Sequence, residues 1–344
     1  MSKGNPNHYY SRTPFGGKVC LPPKAYFSPA KHLARLVQQR PTLTNDLLMA
    51  DNDDGDDFAP PPGPPPILTL EQLRHLCRYG WLSYDLPTTL DEQLSQLSRF
   101  GSDFFNQDTE QKQRLYPASH GTESGYYHVE GEKEYLTLRR HVHPNISFET
   151  SAAQAWHAIA QFLHRILIDL SRVSGLHPSI WDSLLEGSLS YPGPQTDLND
   201  VITLMRIFRY YPTSGVADPH TDLGLLTLCV CDGTGLEVRD TAHSWRPAAR
   251  ATILVGETLR KLSSGVIRAG LHRVVGNPEG RNSIVFALRP NLSGHVDLSS
   301  FGGEGVVETR EFYMDIKGAK YNVNAKHELR DKQRRGKGTN NGMG

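Results

Sequence analysis

Pro219-His220-Thr221-Asp222-Leu223-Gly224-Leu225-Leu226-Thr227-Leu228 is the stretch on which the fold turns. Its second half is an apolar run containing threonine, entered through a glycine, and such runs read as strands. Its first half sets a histidine and a carboxylate two residues apart at the entrance to that strand. Working outward, Gly270-Leu271-His272-Arg273-Val274-Val275 places another histidine in a strand-like run, 52 residues on (272 − 220). Arg281-Asn282-Ser283-Ile284-Val285-Phe286-Ala287-Leu288 opens a third such run. Between the last two, Gly276-Asn277-Pro278-Glu279-Gly280 has the composition of a tight turn, which brings Arg281 towards His272. Short strands punctuated by turns in this way indicate an all-β core.

A lone His-x-Asp triplet is common by chance, and fifteen histidines supply many third partners. The strand-edge setting of His220, Asp222 and His272 is what singles them out as candidate metal ligands. Two histidines and one carboxylate on one face of a metal leave positions open, which suits ferrous iron holding a co-substrate and dioxygen together. Arg281 can grip a carboxylate with both ends of its guanidinium, and the Ser283 hydroxyl is a further donor beside it.

Other motifs fall in order around these. Arg209-Tyr210-Tyr211-Pro212 is similar to an Asn-Tyr-Tyr-Pro element, and Gly235-Leu236-Glu237-Val238 to Gly-Leu-Gln-Val. Gly256-Glu257-Thr258-Leu259 is similar to Gly-Asp-x-Leu, and Ser263-Ser264-Gly265 to an Asn-Gly turn. With the ligands and Arg281-x-Ser283, residues 204–292 resemble the 2-oxoglutarate- and Fe(II)-dependent dioxygenases, in the isopenicillin N synthase-like branch. Shorter matches at Gly80-Trp81-Leu82, Phe104-Phe105, Gly125-Tyr126-Tyr127 and Lys133-Glu134-Tyr135 extend the resemblance to residues 67–292.

The resemblance implies a mainly β fold with flanking helices, built on a double-stranded β-helix, or jelly roll. It implies Fe(II) on His220, Asp222 and His272 as the catalytic centre. It implies 2-oxoglutarate as co-substrate, its distal carboxylate on Arg281, Ser283 and Tyr211, with O2 as oxidant. A small-molecule substrate would then undergo hydroxylation, desaturation or cyclisation, with release of succinate and CO2. Two departures stand out: Arg209 replaces Asn and Glu257 replaces Asp. A cation at 209 suits an acidic substrate, a nearby carboxylate, or simply an outward strand face. Two rivals remain on this reading: an iron oxidase of the same fold that uses no 2-oxoglutarate, and a non-catalytic binding protein. Residues 81–84, residues 126–133 and the C-terminal segment are expected to shape the substrate pocket. Phe286 is read as pocket wall or plain core.

Composition sets the bounds. Lys plus Arg and Asp plus Glu number 37 each, so no global field favours nucleic acid. Four cysteines in 344 residues fit a reducing compartment. The N-terminus lacks an apolar leader core, and no window is apolar enough to span a bilayer, so a soluble, cytoplasmic monomer is expected, without membrane partners. Cys229 and Cys231 lie two apart on one strand face and read as core.

The expected organisation has four parts. Residues 1–66 form an extension with an acidic run (51–57) and a proline stretch (60–66), read as a solvated loop and a stiff linker of low order, with packing expected only near 19–30. Residues 67–198 form a helical and strand region, 199–295 the catalytic jelly roll, and 296–344 a C-terminal segment with a short helix around Phe312 and a basic tail over 317–337. Apolar residues at spacings of three, four and seven predict a helix over 151–173, capped by Ser151 and closed by Gly175, with His157 and His164 outside its apolar stripe.

Overall fold

Side chains on successive strand residues point to opposite faces, and this alternation organises the molecule. The computed structural model describes residues 10–12, 18–20 and 63–318, apart from 120, 145, 175, 213–216 and 241–242. In chain order these form β1 (Tyr10–Arg12), β2 (Lys18–Cys20), α1 (Leu70–Tyr79), β3 (Trp81–Ser83), α2 (Thr88–Phe105) and α3 (Thr109–Leu115). Next come β4 (Gly125–Val129), β5 (Lys133–Leu138), α4 (Ser147–Ser174), α5 (Ile180–Leu184), β6 (Leu204–Tyr210), β7 (Ala217–His220) and β8 (Leu226–Cys231). Then follow β9 (Leu236–Arg239), β10 (Trp245–Pro247), β11 (Ala251–Val255), α6 (Glu257–Leu262), β12 (His272–Val274) and β13 (Arg281–Leu288). The hairpin of β14 (His295–Asp297) and β15 (Val306–Glu308) precedes α7 (Thr309–Gly318).

Seven strands make one antiparallel sheet in the order β3-β11-β8-β13-β6-β5-β4, and four make a second, β10-β9-β12-β7. On β6 and β13 one face carries Arg206, Phe208, Tyr210, Arg281, Ser283 and Val285. The other face carries Met205, Ile207, Ile284, Phe286 and Leu288. The first face meets the small sheet: Tyr135, Phe208, Tyr210 and Cys229 pack with Ala217, Leu236, Val238 and Val274. The second is covered by α4, where Trp156 meets Phe286 edge-on at 4.9 Å. Two facing antiparallel sheets with helices outside are the jelly roll that the resemblance implied, mainly β with flanking helices.

Several expectations change in detail. Phe286 is 0% exposed and belongs to the helix-side core, not to a pocket wall. The long helix starts at Ser147, four residues early, so Ser151 is a buried helix residue and not its cap. The extra turn is a tertiary effect. Phe148 stacks 6.0 Å from Phe104, and buried Glu149 accepts the backbone N–H groups of Val142 and His143 at 3.0 and 2.9 Å. His157 is exposed and His164 half-buried on this helix, and neither is part of a ligand group. Residues 67–198, expected as a region of the same domain, supply β3, β4 and β5 to the sheet that also holds β6, β8, β11 and β13. The acidic run 51–57, prolines 60–62, residues 21–30, Gly175 and the basic tail beyond 318 lie outside the described residues. Among those described, no helix is long and apolar enough to cross a membrane.

Candidate active site

β7 and β12 pair antiparallel with His272 directly opposite His220, so the two imidazoles stand side by side with ring centroids 4.2 Å apart. Asp222 follows in the loop after β7, its carboxylate 4.0 Å from His272 Nε2. One ligand atom from each of the three lies within 4.8 Å of the others. The ring orientations are set from behind. His220 Nδ1 lies 2.6 Å from the Asp218 carbonyl and His272 Nδ1 2.9 Å from that of Gly270. A carbonyl can only accept, so each Nδ1 carries a proton, which leaves Nε2 as the nitrogen available to a ligand; that of His272 faces the Asp222 carboxylate. Burial and the adjacent His272 push His220 down to about 3, which keeps it neutral at pH 7. Burial pushes Asp222 up, but His272 and His220 outweigh it and hold the carboxyl below its usual range.

The loop that carries Asp222 is clamped by the Gly-Glu element seen in the sequence. The Glu257 N–H donates to the Asp222 carbonyl at 2.8 Å, and the Thr221 hydroxyl donates to Glu257 Oε1 at 2.6 Å. Gly256 lies so close to this loop that a Cβ there would stand 2.0 Å from the Gly224 carbonyl oxygen. Glycine at 256 is therefore a requirement of close approach. Glu257 opens α6.

The same cavity receives Arg281 and Ser283 from β13. Arg281 is 5% exposed, with Nε and Nη1 buried and unpartnered, and Ser283 is 3% exposed with its hydroxyl likewise unpartnered. Buried polar atoms left unpaired cost about 1–3 kcal/mol each, more when charged, so such a cluster calls for an acceptor from outside the chain. The tyrosine beside this pair is Tyr210. It sits opposite Arg281 in the strand register, and the guanidinium lies 5.3 Å from its ring centroid. Tyr211, the residue expected here, points the other way: its ring is 6.0 Å from that of His128, and burial and the Glu134 carboxylate push its phenol up to about 12. With a period of two, the neighbouring residue must face the opposite side of the sheet.

Other candidates distribute differently. Arg209 faces away from the cavity and binds Glu134 through Nε at 2.7 Å and Asn106 Oδ1 through Nη1 at 2.8 Å. That is the nearby-carboxylate reading of this departure. None of residues 81–84 or 126–133 lines the cavity; its walls are Phe208, Ala217, Leu236, Val274 and Val285, with Cys229 among them. Cys77, Cys229 and Cys231 are free and buried. Sequence reasoning missed Arg206, which also lines the cavity. It shares the face of Phe208 and Tyr210 by even spacing along β6, but only the fold shows that this face is the inward one.

The donor set fits a divalent metal such as Fe(II): two imidazoles and a carboxylate converge, and each imidazole is fixed by its own backbone acceptor. The unsatisfied Arg281 and Ser283 atoms in the same cavity fit a carboxylate ligand.

No family model matches the chain. In sequence it is similar to the protein named Oxidoreductase vrtI from Penicillium aethiopicum, 35% identical over 128 residues, which are 30% of this chain and 30% of that protein. It is also similar to 2-oxoglutarate-dependent dioxygenase 11 from Oryza sativa subsp. japonica, 27% identical over 271 residues, 71% of this chain and 74% of that one. The chain spans 30% and 36% of the length of the first curated relatives that it matches. Among solved structures, the dioxygenase for auxin oxidation 1 from Arabidopsis thaliana, in its binary complex with 2-oxoglutarate, superposes with a TM-score of 0.52 at 21% identity, covering 64% of this chain and 86% of that chain. This last likeness is one of fold.

Proposed function

We propose that this chain, a member of the 2-oxoglutarate- and Fe(II)-dependent dioxygenase superfamily, oxidises a small organic molecule with 2-oxoglutarate as co-substrate. The observation that carries the reading is the single cavity shared by the His220–Asp222–His272 trio and the unpartnered Arg281 and Ser283. Fe(II) bound by the trio supplies the redox chemistry that couples decarboxylation of 2-oxoglutarate by O2, giving succinate and CO2, to insertion of the other oxygen atom into a C–H bond. Desaturation or ring closure of the substrate would be the alternative two-electron oxidations, with that oxygen atom leaving as water together with the two hydrogens removed.

The chain's own residues supply the rest. His220 and His272 offer Nε2 lone pairs and Asp222 a charged oxygen, and each is oriented before any ligand arrives. Arg281 and Ser283 hold the distal carboxylate of 2-oxoglutarate, and the Tyr210 ring packed on the guanidinium keeps it aimed. Tyr210 takes the place first assigned to Tyr211. The apolar walls at Phe208, Leu236, Val274 and Val285 exclude water and hold the organic substrate beside the trio. Placement at that precision selects which C–H bond reacts. A reducing, cytoplasmic setting is part of the proposal, supported by the low cysteine content, and the monomer expected from the sequence is kept as part of it.

Anaerobic titration with Fe(II) and then 2-oxoglutarate tests the reading through the weak visible charge-transfer band of a chelated 2-oxo acid. The band is expected in the wild type and is lost in Asp222→Ala and Arg281→Ala. Iron binding with no band in the wild type would overturn the co-substrate and leave Arg281 as an anchor for something else.

A further inference from the structure

The cavity has two basic ends. Arg281 and Ser283 mark one, with Tyr210 opposite Arg281 in the register. Arg206 marks the other, four residues back along β6 and opposite Val285, which is roughly 13 Å away at strand spacing. The 2-oxoglutarate anchor makes no use of Arg206. Behind it stand Arg289, just past the end of β13, and Arg139, just past β5. The Nε atoms of Arg139 and Arg289 are buried without a partner. Lys317, at the end of α7, adds its field to the same place.

The carboxylate that reaches these cations is Glu123. Its Oε2 accepts from Arg206 Nη2 at 3.0 Å and lies 3.4 Å from Arg289 Nη1. Burial pushes its carboxyl up, but Arg289, Arg206, Lys317 and Arg139 outweigh that and hold it at about 2. Glu123 comes from the connection before β4 with φ +63°, a conformation uncommon for a residue with a side chain. A comparison within the molecule is informative. Glu134, the acid of the Lys112 and Arg209 pairs, sits within β5, is 1% exposed, and uses both oxygens against Lys112, Tyr126 and Arg209. Glu123 is a loop residue whose side chain is 33% exposed. Glu134 is built in, whereas Glu123 reaches in from the rim.

We propose that Arg206 and Arg289 form a carboxylate subsite for the organic substrate, and that Glu123 is the carboxylate such a substrate displaces. The substrate class is then a small organic acid whose apolar body lies along Phe208, Leu236, Val274 and Val285 and whose reactive carbon falls between the two basic ends. A pair of guanidinium groups matches the carboxylate that Glu123 itself presents. This inference rests on the oxygenase reading above.

The test uses full-length protein loaded anaerobically with Fe(II) and saturating 2-oxoglutarate, so that Arg281 is occupied. The probes are phenylacetate, 3-phenylpropanoate and 4-phenylbutanoate, each against its primary amide, with binding read by calorimetry. At least one acid is expected to bind roughly tenfold to a hundredfold more tightly than its amide, the range of a charged hydrogen bond. Arg206→Gln should remove that preference while the charge-transfer band persists, and Arg206→Lys should restore part of it. Glu123→Gln should tighten acid binding, because the internal competitor is gone; this arm decides the matter if Arg206→Gln does not fold. Acids that bind no better than amides, a preference that survives Arg206→Gln, or weaker acid binding in Glu123→Gln would each overturn the subsite. A missing band in the wild type would instead overturn the oxygenase reading.

Discussion

Arg281 shows how much one side chain decides. A guanidinium presents a planar fork with delocalised charge, and a lysine at the same point presents a single ammonium. Arg281→Lys is therefore expected to weaken 2-oxoglutarate binding by roughly tenfold to a hundredfold, with Mn(II) affinity unchanged, both measurable by calorimetry. The neighbouring tyrosines separate two readings of the same motif. Tyr210→Leu removes the ring packed on Arg281 and should weaken 2-oxoglutarate binding several-fold, by about 1 kcal/mol, whereas Tyr211→Phe should leave it unchanged. The opposite pattern would return the anchor to Tyr211. All of the proposed ligands, Arg281 and Ser283 were legible in the chain, because each is a chemically distinctive residue at a strand edge. Tyr210 was not, because two adjacent tyrosines look alike until the pleat assigns each a face.

Elements position these residues through close contacts that tolerate little. Gly256 and Gly224 touch backbone to backbone, and that contact fixes the loop carrying Asp222. Gly256→Ala must push the two segments apart. The expected result is a cost of about 1–3 kcal/mol, typical of overpacking, together with loss of metal affinity, read by thermal unfolding and Mn(II) titration. A variant that binds metal normally would show that the clamp is not needed. On the opposite face of the large sheet, Trp156 and Phe286 join α4 to β13. The helix itself was legible from its spacing. Its first turn was not, because Glu149 is held there by the backbone of residues 142 and 143, a contact that no local pattern records.

At the scale of the molecule, residues 67–198 and the jelly-roll strands share one sheet, and Glu134 on β5 joins them through Lys112 on α3 and Arg209 on β6. Burial pushes this carboxyl up, but Lys112, Tyr126 and Arg209 outweigh it, so its folded pKa is depressed. A depressed carboxyl adds stability above its unfolded pKa, about 4.3, and loses it as pH falls through the folded value. Wild-type protein should therefore lose more stability between pH 7 and pH 3 than Glu134→Gln does, as measured by urea unfolding. At pH 7 the variant should be destabilised by about 3–5 kcal/mol, the cost of breaking a buried pair. Equal slopes with pH would remove Glu134 from the acid response.

The sequence by itself determined the class of core and singled out the trio proposed to hold the metal and the pair proposed to anchor the anion, because periodicity and residue chemistry are local properties. Only the tertiary structure decided which tyrosine faces the cavity, that Phe286 belongs to the helix side, that Arg209 is taken up by Glu134, and that Arg206 and Arg289 meet Glu123. Those outcomes depend on strand register and on contacts between residues as much as 166 positions apart. A one-residue slip would reverse every face, and nothing in the linear order of residues marks which of two adjacent side chains turns inward.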